Sequence, residues 1–225
     1  MYQIGEKMPV TDADGVDWIE EGVRYNRIHH RLKKVANFVN RLYKLYHFST
    51  IFDIGCSGGK LSWLIEPSIT YYGCDIVPGV IQENNNDRIV LWNIEQDEIA
   101  NLNFSQRSFD CIVMSGLLEH VADRKEVLTK AISMINSTGF LILTYANPEF
   151  IFYKRNIGIR KNDRNWIMRL LTHKELKLLL KNCNFNILSV YHLIYFIMVK
   201  RVPLISRPFH IITNQYIYIA QRKYL

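Results

Sequence analysis

Hydrophobic positions divide the chain into one long helical pattern followed by short apolar segments. Over residues 18–46, apolar side chains recur every three or four positions, which predicts an amphipathic helix. Predicted strands cover residues 50–54, 70–75, 88–92, 109–114, 140–144, 185–191 and 215–220, and predicted helices cover 60–65, 124–135 and 172–181. This alternation predicts an α/β fold, a doubly wound and mainly parallel sheet with helices on both faces and an N-terminal helical extension.

A glycine-rich segment follows the first predicted strand. It reads Asp53-Ile54-Gly55-Cys56-Ser57-Gly58-Gly59, and a second acid, Asp75, ends the second strand twenty residues after Gly55. Glycines let the backbone turn tightly and approach a ligand closely. An acid at this distance is placed to hold the two hydroxyls of a ribose. The segment therefore predicts a cofactor that contains adenosine.

The charges in this segment separate two classes of cofactor. Dinucleotide sites use a G-x-G-x-x-G pattern and place a pyrophosphate on the amides at a helix start. Here Asp53 precedes the first glycine, and Ser57 stands where the middle glycine usually lies. A carboxylate repels a pyrophosphate and attracts an ammonium group. The pattern favours S-adenosylmethionine over NAD. A strand–turn–helix with incidental glycines is the structural alternative.

Composition indicates one domain inside the cell. A chain of 225 residues with 48% hydrophobic residues suits one well-buried α/β domain. No apolar segment reaches the ~18 residues of a membrane-spanning helix, and residues 1–10 lack an apolar signal core. The four cysteines lack metal-binding spacing, and a thiol in or beside a strand usually fills space in the core. These features predict a cytoplasmic protein in a reducing compartment.

Charge is distributed unevenly along the chain, which carries +7 in total. Residues 22–52 hold seven bases and no acid, and residues 150–225 hold fourteen bases and two acids. Residues 53–149, between them, hold six bases and thirteen acids. Basic flanks of this kind indicate an anionic substrate or surface, such as a phosphorylated sugar, an acidic lipid headgroup or RNA. Ordinary solvated helix faces are the alternative interpretation.

Four blocks in sequence order resemble the class I S-adenosylmethionine-dependent methyltransferases over about residues 50–191. They are the glycine-rich segment, Tyr72-Gly73-Cys74-Asp75, residues 108–121 and residues 135–144. The phrase Leu118-Glu119-His120-Val121 is typical of the branch that includes ubiquinone-biosynthesis O-methyltransferases. The resemblance implies a Rossmann-like, seven-stranded sheet whose last strand is antiparallel and lies between the fifth and sixth strands.

The resemblance also implies roles for individual residues. Those expected to line the methionyl part of the cofactor are Asp53, Gly55, Cys56, Ser57 and Gly59. Asp75 is expected to bind the ribose and Ile76 to pack on the adenine. Asn93 and Ile94 match the position where the family often has an Asp beside the adenine amino group, and the Asn oxygen can still accept that hydrogen bond. Ser115 is expected beside the reactive methyl.

Two residues after the fourth strand are the catalytic candidates. If the acceptor is a protonated hydroxyl, His120 is the candidate base, because an imidazole changes its charge near neutral pH. The alternative is that Glu119 and His120 only hold the loop through hydrogen bonds. Some relatives bind a divalent cation through Glu-x-x-Glu-His, but Gly116 replaces the first acid here, so no metal is predicted.

The acceptor is expected to contact the segments outside the resemblance. We divide the single domain into an N-terminal helical cap (1–49), the cofactor-binding core (50–191), an apolar and basic insertion (192–213) and the last strand (214–225). Residues 192–209 suit contact with an anionic membrane, a lid on the active site or a homodimer interface. The predicted function is O-methylation of a small molecule, a sugar or glycan, or a lipid-linked intermediate. The alternatives are an RNA methyltransferase and a catalytically inactive binding partner.

Overall fold

A computed structural model describes residues 30–78, 81, 86–150, 170–194, 197–200 and 215–223. The α-helices are α1 (His30–Tyr46), α2 (Arg124–Ser133) and α3 (His173–Asn182). The strands are β1 (Thr50–Ile54), β2 (Thr70–Asp75), β3 (Ile89–Leu91), β4 (Phe109–Ser115), β5 (Ile135–Ala146), β6 (Phe185–Ile194), β7 (Ile197–Lys200) and β8 (Gln215–Arg222). Short 3₁₀ helices cover Lys60–Trp63 and Ile99–Asn101.

All eight strands form one sheet, in the order β3-β2-β1-β4-β5-β8-β6-β7. Strands β1 to β5 pair in parallel, and β8 lies antiparallel between β5 and β6. The predicted fold, including the antiparallel last strand, is confirmed. The sheet has one strand more than expected, because β7 pairs with β6 at the edge. Part of the predicted insertion 192–213 thus belongs to the sheet.

Both faces of the sheet are covered by helices. Helix α1 buries Val35, Phe38 and Val39 against one face, while α2 and α3 cover the other with residues such as Leu128 and Leu176. A parallel sheet covered in this way has strands that are apolar on both sides, as β4 is. Helix α3 begins with a capping box, in which the side chains of Thr172 and Glu175 each accept a hydrogen bond from the other's backbone amide.

The predicted boundary between α2 and β5 is wrong by several residues. Helix α2 ends at Ser133 and β5 begins at Ile135, although residues 137–139 resemble a turn before residue 140. Ile135 already pairs with Phe109, and the register shifts between Phe109 and Cys111. Gly139 permits close packing there, since a Cβ on it would lie 2.8 Å from the carbonyl oxygen of Asp110. The predicted helix 60–65 is instead a 3₁₀ turn.

Several expectations lie outside the described residues. They concern residues 18–29 of the first predicted helix, the basic and aromatic residues of 151–169, and most of segment 192–209 with its expected membrane or dimer contact. Within the described part of the chain, every helix is too short or too polar to span a bilayer.

Asp110 connects β1, β4 and β5 at the amino end of the sheet. One carboxylate oxygen accepts hydrogen bonds from the amides of Ser49 and Thr50, each at 2.9 Å, and the other accepts from the side chain of Asn136 at 2.6 Å. Despite partial burial, these donors hold the pKa of Asp110 below its ordinary value. An Asp carboxyl in the unfolded chain has a pKa of about 4. Ionised Asp110 therefore stabilises the fold above that pH, and the stabilisation is lost as the pH falls through the lowered pKa of the folded protein.

We expect Asp110→Ala to lower the free energy of unfolding by about 2 kcal/mol at pH 7, because several amide and hydroxyl donors lose their acceptor. Chemical denaturation at pH 7 and at pH 3 measures the effect, which should shrink at the lower pH. Asp87→Ala, at an exposed position, is the matched control and should change stability by less than about 0.5 kcal/mol. Equal effects of the two substitutions would contradict the assignment.

Candidate functional site

The glycine-rich loop follows the carboxyl end of β1 and is hydrogen-bonded to the carboxyl end of the neighbouring strand β2. The amides of Gly55 and Cys56 both donate to the carbonyl oxygen of Cys74, at 2.9 Å each. Gly55 and Gly59 have φ angles of +75° and +66°, a left-handed conformation that favours glycine. Ser57 adopts φ +50°, so the serine tolerates the same turn. The loop therefore crosses the strand ends where ligands of such sheets bind.

Asp53 places a buried carboxylate beneath this loop. Its side chain is 2% exposed, and one oxygen accepts a hydrogen bond from the Tyr71 hydroxyl at 2.8 Å. The other oxygen, Oδ1, is buried without a hydrogen-bond partner among the described residues. Burial, with a smaller contribution from the nearby charge of Asp75, raises the pKa of Asp53 to about 7. A carboxylate in this position favours a cationic ligand group.

Asp75, at the end of β2, holds the loop from the other side. One oxygen accepts from the Ser57 amide at 2.7 Å and the other from the Val77 amide at 3.1 Å. Burial raises the pKa of Asp75, while these amides lower it. A carboxylate has about four acceptor sites, so Asp75 can accept further hydrogen bonds from a ribose. The ribose contact of Asp75 stays a prediction, and sequence reasoning missed the hydrogen bond from the Ser57 amide.

The Cys56 side chain faces inward rather than toward a ligand. It is buried, and a Cβ on Gly73 would lie 2.8 Å from its sulfur. Burial, reinforced by the charge of Asp53, raises the pKa of the Cys56 thiol well above its ordinary value. The thiol therefore packs under the loop, and only the backbone of Cys56 is available to a cofactor.

The residues predicted beside an adenine follow β2 and β3. Ile76 is half-buried directly after Asp75. The side-chain oxygen of Asn93 accepts from the Glu95 amide at 3.0 Å, so a local turn fixes its direction. Ile94 is 4% exposed and belongs to the hydrophobic core, which leaves little of its side chain for a ligand. Their adenine contacts stay predictions.

Two hydroxyls lie side by side at the carboxyl ends of β4 and β5. Ser115 pairs with Thr144 in the sheet register, which places both side chains on one face. Neither hydroxyl oxygen has a hydrogen-bond partner within the described residues, although both are buried. Sequence reasoning identified Ser115 and missed Thr144, whose signal was its position at the end of an otherwise apolar strand.

Glu119 anchors the loop after β4 to β5. It is 4% exposed, and one oxygen accepts from the Ala146 amide at 2.9 Å. Burial raises the pKa of Glu119, while the charges of His120 and Arg31 lower it. His120 is half-buried, and its amide donates to the carbonyl of Leu117 at 2.9 Å. The structure thus places Glu119 as a support and leaves His120 nearer to solvent.

Arg31 is a site residue that sequence reasoning missed. It lies in the first turn of α1, and its guanidinium lies directly over Gly116, which has a φ of +77°. The only sequence signal was its place in the basic segment 22–52. Among the residues that the structure describes, no group of three or more His, Cys, Asp or Glu side chains is arranged to hold a metal ion.

The geometry fits a ligand that is cationic at one end and carries a ribose at the other. The unpartnered oxygen of Asp53 suits an ammonium. The glycines of the tight loop have no side chains, so a ligand can approach the loop backbone closely at the strand ends. Asp75 lies at the neighbouring strand end. The unpartnered hydroxyls of Ser115 and Thr144 lie on the same sheet face as Asp53. The site can therefore bind S-adenosylmethionine at both ends, with Asp53 at the ammonium and Asp75 at the ribose.

Comparison with known proteins agrees with this fit. A family model described as a methyltransferase domain matches residues 27–190. The ubiquinone biosynthesis O-methyltransferase of Azorhizobium caulinodans is 33% identical over 101 residues, which cover 43% of this chain and 40% of that protein. The chain thus matches about two fifths of that relative's length.

Solved structures share the fold at low sequence identity. The plantazolicin methyltransferase BpumL, in complex with a pentazolic desmethylPZN analog and SAH, has a TM-score of 0.66 at 14% identity, with 92% of this chain and 90% of that chain covered. A TehB-like methyltransferase from Corynebacterium glutamicum gives 0.58 at 14% identity, over 92% and 94% of the two chains. The family model covers well over half of the sequence, and the chain therefore belongs to the methyltransferase domain family as a class I S-adenosylmethionine-dependent methyltransferase.

Proposed function

We propose that this enzyme methylates a hydroxyl oxygen of a small molecule, a saccharide or a lipid-linked intermediate. The observation that carries the proposal is the pair of buried, unpartnered hydroxyls of Ser115 and Thr144 at the carboxyl ends of β4 and β5. The loop that carries His120 follows β4 directly. Buried polar atoms normally have partners, so these two are suited to hydrogen-bond a polar acceptor. A hydroxyl both donates and accepts, which matches their own capacity.

The chain's residues bind and orient the two reactants. S-adenosylmethionine supplies an electrophilic methyl group on its sulfonium. Asp53 would hold the ammonium and Asp75 the ribose, with Gly55, Ser57 and Gly59 shaping the loop between them. Orientation of this kind can supply roughly 7–11 kcal/mol of barrier reduction, so most of the rate enhancement comes from alignment.

His120 would take the proton of the acceptor hydroxyl. The half-buried imidazole lies in the same loop as the buried Glu119 carboxylate, and the two charges interact. Glu119 would favour a cationic imidazole after proton transfer, and its bond to the Ala146 amide keeps the loop in place. Glu119 is therefore a positioning residue, and His120 is the proposed base.

The names of similar proteins support methyl transfer more broadly than transfer to oxygen. The curated relative is named an O-methyltransferase. A structure from Thermotoga maritima, with a TM-score of 0.56 at 15% identity, is titled a possible histamine N-methyltransferase. The fold alone therefore leaves the acceptor atom open, and the hydroxyl pair and His120 are our reasons for oxygen.

We expect His120→Gln to lower kcat about 100-fold at pH 7, the usual contribution of a general base. The loss should shrink toward pH 10, where a phenolic acceptor ionises without help. Glu119→Gln, which can still accept from the Ala146 amide, is the matched control and should cost less than about 10-fold. Initial rates from pH 6 to 10 measure both. A loss that is equal at every pH would contradict the role of base.

Matched acceptors test the proposal itself. The full chain is incubated with S-adenosylmethionine and catechol, glucose, their charged analogues 3,4-dihydroxybenzoate and glucose 6-phosphate, histamine or a short RNA. Release of S-adenosylhomocysteine gives the rate, and mass spectrometry locates the methyl group. Transfer to a hydroxyl supports the proposal. Transfer only to nitrogen or RNA overturns it, and cofactor binding without any transfer would favour a catalytically inactive binding partner.

A further inference from the structure

The guanidinium of Arg31 lies directly over the loop that follows β4. A Cβ on Gly116 would be 2.7 Å from its Nη1 atom and 2.9 Å from its Cζ and Nη2 atoms. Helix α1 packs on the same sheet face through Val35 and Phe38, which brings its first turn over the end of β4. The guanidinium therefore fills space that any side chain at position 116 would occupy.

The positive charge of Arg31 is unmatched where the structure describes the chain. No carboxylate oxygen of the described residues lies within 4.0 Å of it, and no described group accepts a hydrogen bond from it. Its charge does act on the buried Glu119 carboxyl, whose pKa it lowers from a distance. Arg31 is itself half-buried. A cation partly removed from water without an anion is unfavourable, so the site is suited to receive one.

The groups around Gly116 place this charge beside the proposed chemistry. Ser115, the residue before Gly116, has the unpartnered hydroxyl described above. His120, the proposed base, lies four residues farther along the same loop. An acceptor bound over Gly116 would lie beside the Arg31 cation and next to Ser115, and the loop that holds it continues to the His120 imidazole.

We propose that Arg31 selects acceptors that carry a carboxylate or a phosphate. The planar guanidinium binds two oxygens of such an anion at once, and the acceptor's hydroxyl is thereby directed toward His120. This inference rests on the proposed function and adds the charge of the substrate to it. Gly116 is needed for this arrangement, because a side chain at position 116 would occupy the space of the Arg31 guanidinium.

Matched acceptor pairs give the decisive measurement. The members of each pair differ in one anionic group: catechol against 3,4-dihydroxybenzoate for a carboxylate, and glucose against glucose 6-phosphate, in which the 6-hydroxyl is esterified, for a phosphate. We expect the wild type to favour the charged member of at least one pair by about 10-fold or more in kcat/KM, the size of a charge-assisted hydrogen bond. Arg31→Met keeps the apolar stem and should abolish this preference, so that the two members of each pair react with similar kcat/KM.

Lys33→Met is the matched control, since it removes a charge from an exposed position of the same helix. It should keep the preference. Gly116→Ala should reduce the preference with Arg31 present, because its methyl group displaces the guanidinium. Binding of S-adenosylhomocysteine should be unchanged in Arg31→Met and Lys33→Met.

Calorimetry separates this inference from the proposed function. Benzoate and inorganic phosphate are titrated into protein saturated with S-adenosylhomocysteine. Loss of anion binding in Arg31→Met supports the inference even if no hydroxyl is methylated, a result that would overturn only the function. The inference is overturned if the wild type binds neither anion, or if Arg31→Met and Lys33→Met bind them equally.

Discussion

Replacing Asp53 by Asn is expected to weaken binding of S-adenosylmethionine about 100-fold at pH 8, the effect of losing a charge-assisted hydrogen bond. The substitution leaves the shape of the side chain nearly unchanged and removes its charge. Asp53 Oδ1 has no partner among the described residues, and the side-chain oxygen of Asn can still accept the hydrogen bond from the Tyr71 hydroxyl. Isothermal titration calorimetry measures the affinity of both proteins.

The same substitution should stabilise the cofactor-free protein at alkaline pH. The pKa of Asp53 is about 7 in the fold and 3.8 in its ordinary state. Below about pH 4 the carboxyl is protonated in both the folded and the unfolded chain. Between about pH 4 and 7 only the unfolded chain loses the proton, so folding stability falls as the pH rises, and it stays low above that range. At about 1.4 kcal/mol per pKa unit, the gain in Asp53→Asn has an upper bound of about 4 kcal/mol.

Thermal unfolding and calorimetric titration at pH 5, 6, 7 and 8 measure how stability and cofactor binding change in opposite directions. The Asp53→Asn variant should gain stability over the wild type as the pH rises, while wild-type affinity for the cofactor should increase over the same range. Tyr71→Phe is the control: it keeps the carboxylate and removes the hydroxyl that donates to it, so it should weaken binding only about 10-fold. Affinity in Asp53→Asn within threefold of the wild type would contradict the placement of the ammonium.

Local patterns were enough to predict the elements that build the cofactor side. Strand β4 is a continuous apolar segment with a polar turn before it, and its predicted start at Phe109 is confirmed. The start of β5 was not predictable, since residues 137–139 resemble a turn and the strand begins before them through the pairing of Ile135 with Phe109, ahead of a register shift. The edge strand β7 likewise depends on its partner β6 rather than on its own four residues.

The acceptor side depends on contacts between distant parts of the chain. The motif identified Ser115, Glu119 and His120, but not which of them supports the loop; the bond from the Ala146 amide to Glu119 shows that. No local pattern relates Arg31 to Gly116, which lie far apart in the sequence and meet because α1 packs across the sheet. Charge along the chain indicated an anionic partner without indicating Arg31, the residue that we propose to bind it.

Substitution of Asp75 should also weaken cofactor binding strongly, because this residue holds the glycine-rich loop and is predicted to contact the ribose. Its two oxygens accept from the amides of Ser57 and Val77. An Asn at this position has one acceptor oxygen and can satisfy only one of these amides. An Ala satisfies neither. An amide left without a partner costs about 1–3 kcal/mol, so the loop loses order even before a ligand binds.

We expect Asp75→Ala to weaken binding of S-adenosylhomocysteine by about 100-fold or more, and Asp75→Asn by an intermediate factor. Calorimetry with the 2′-deoxy and 3′-deoxy analogues of S-adenosylhomocysteine separates the loss of loop support from the loss of the ribose contact. In the wild type each missing hydroxyl should reduce affinity, and in Asp75→Ala the analogues should bind as well as the parent, because the partner of those hydroxyls is gone. If the analogues lose the same factor in both proteins, Asp75 acts only through the loop, and the ribose must be held by another residue.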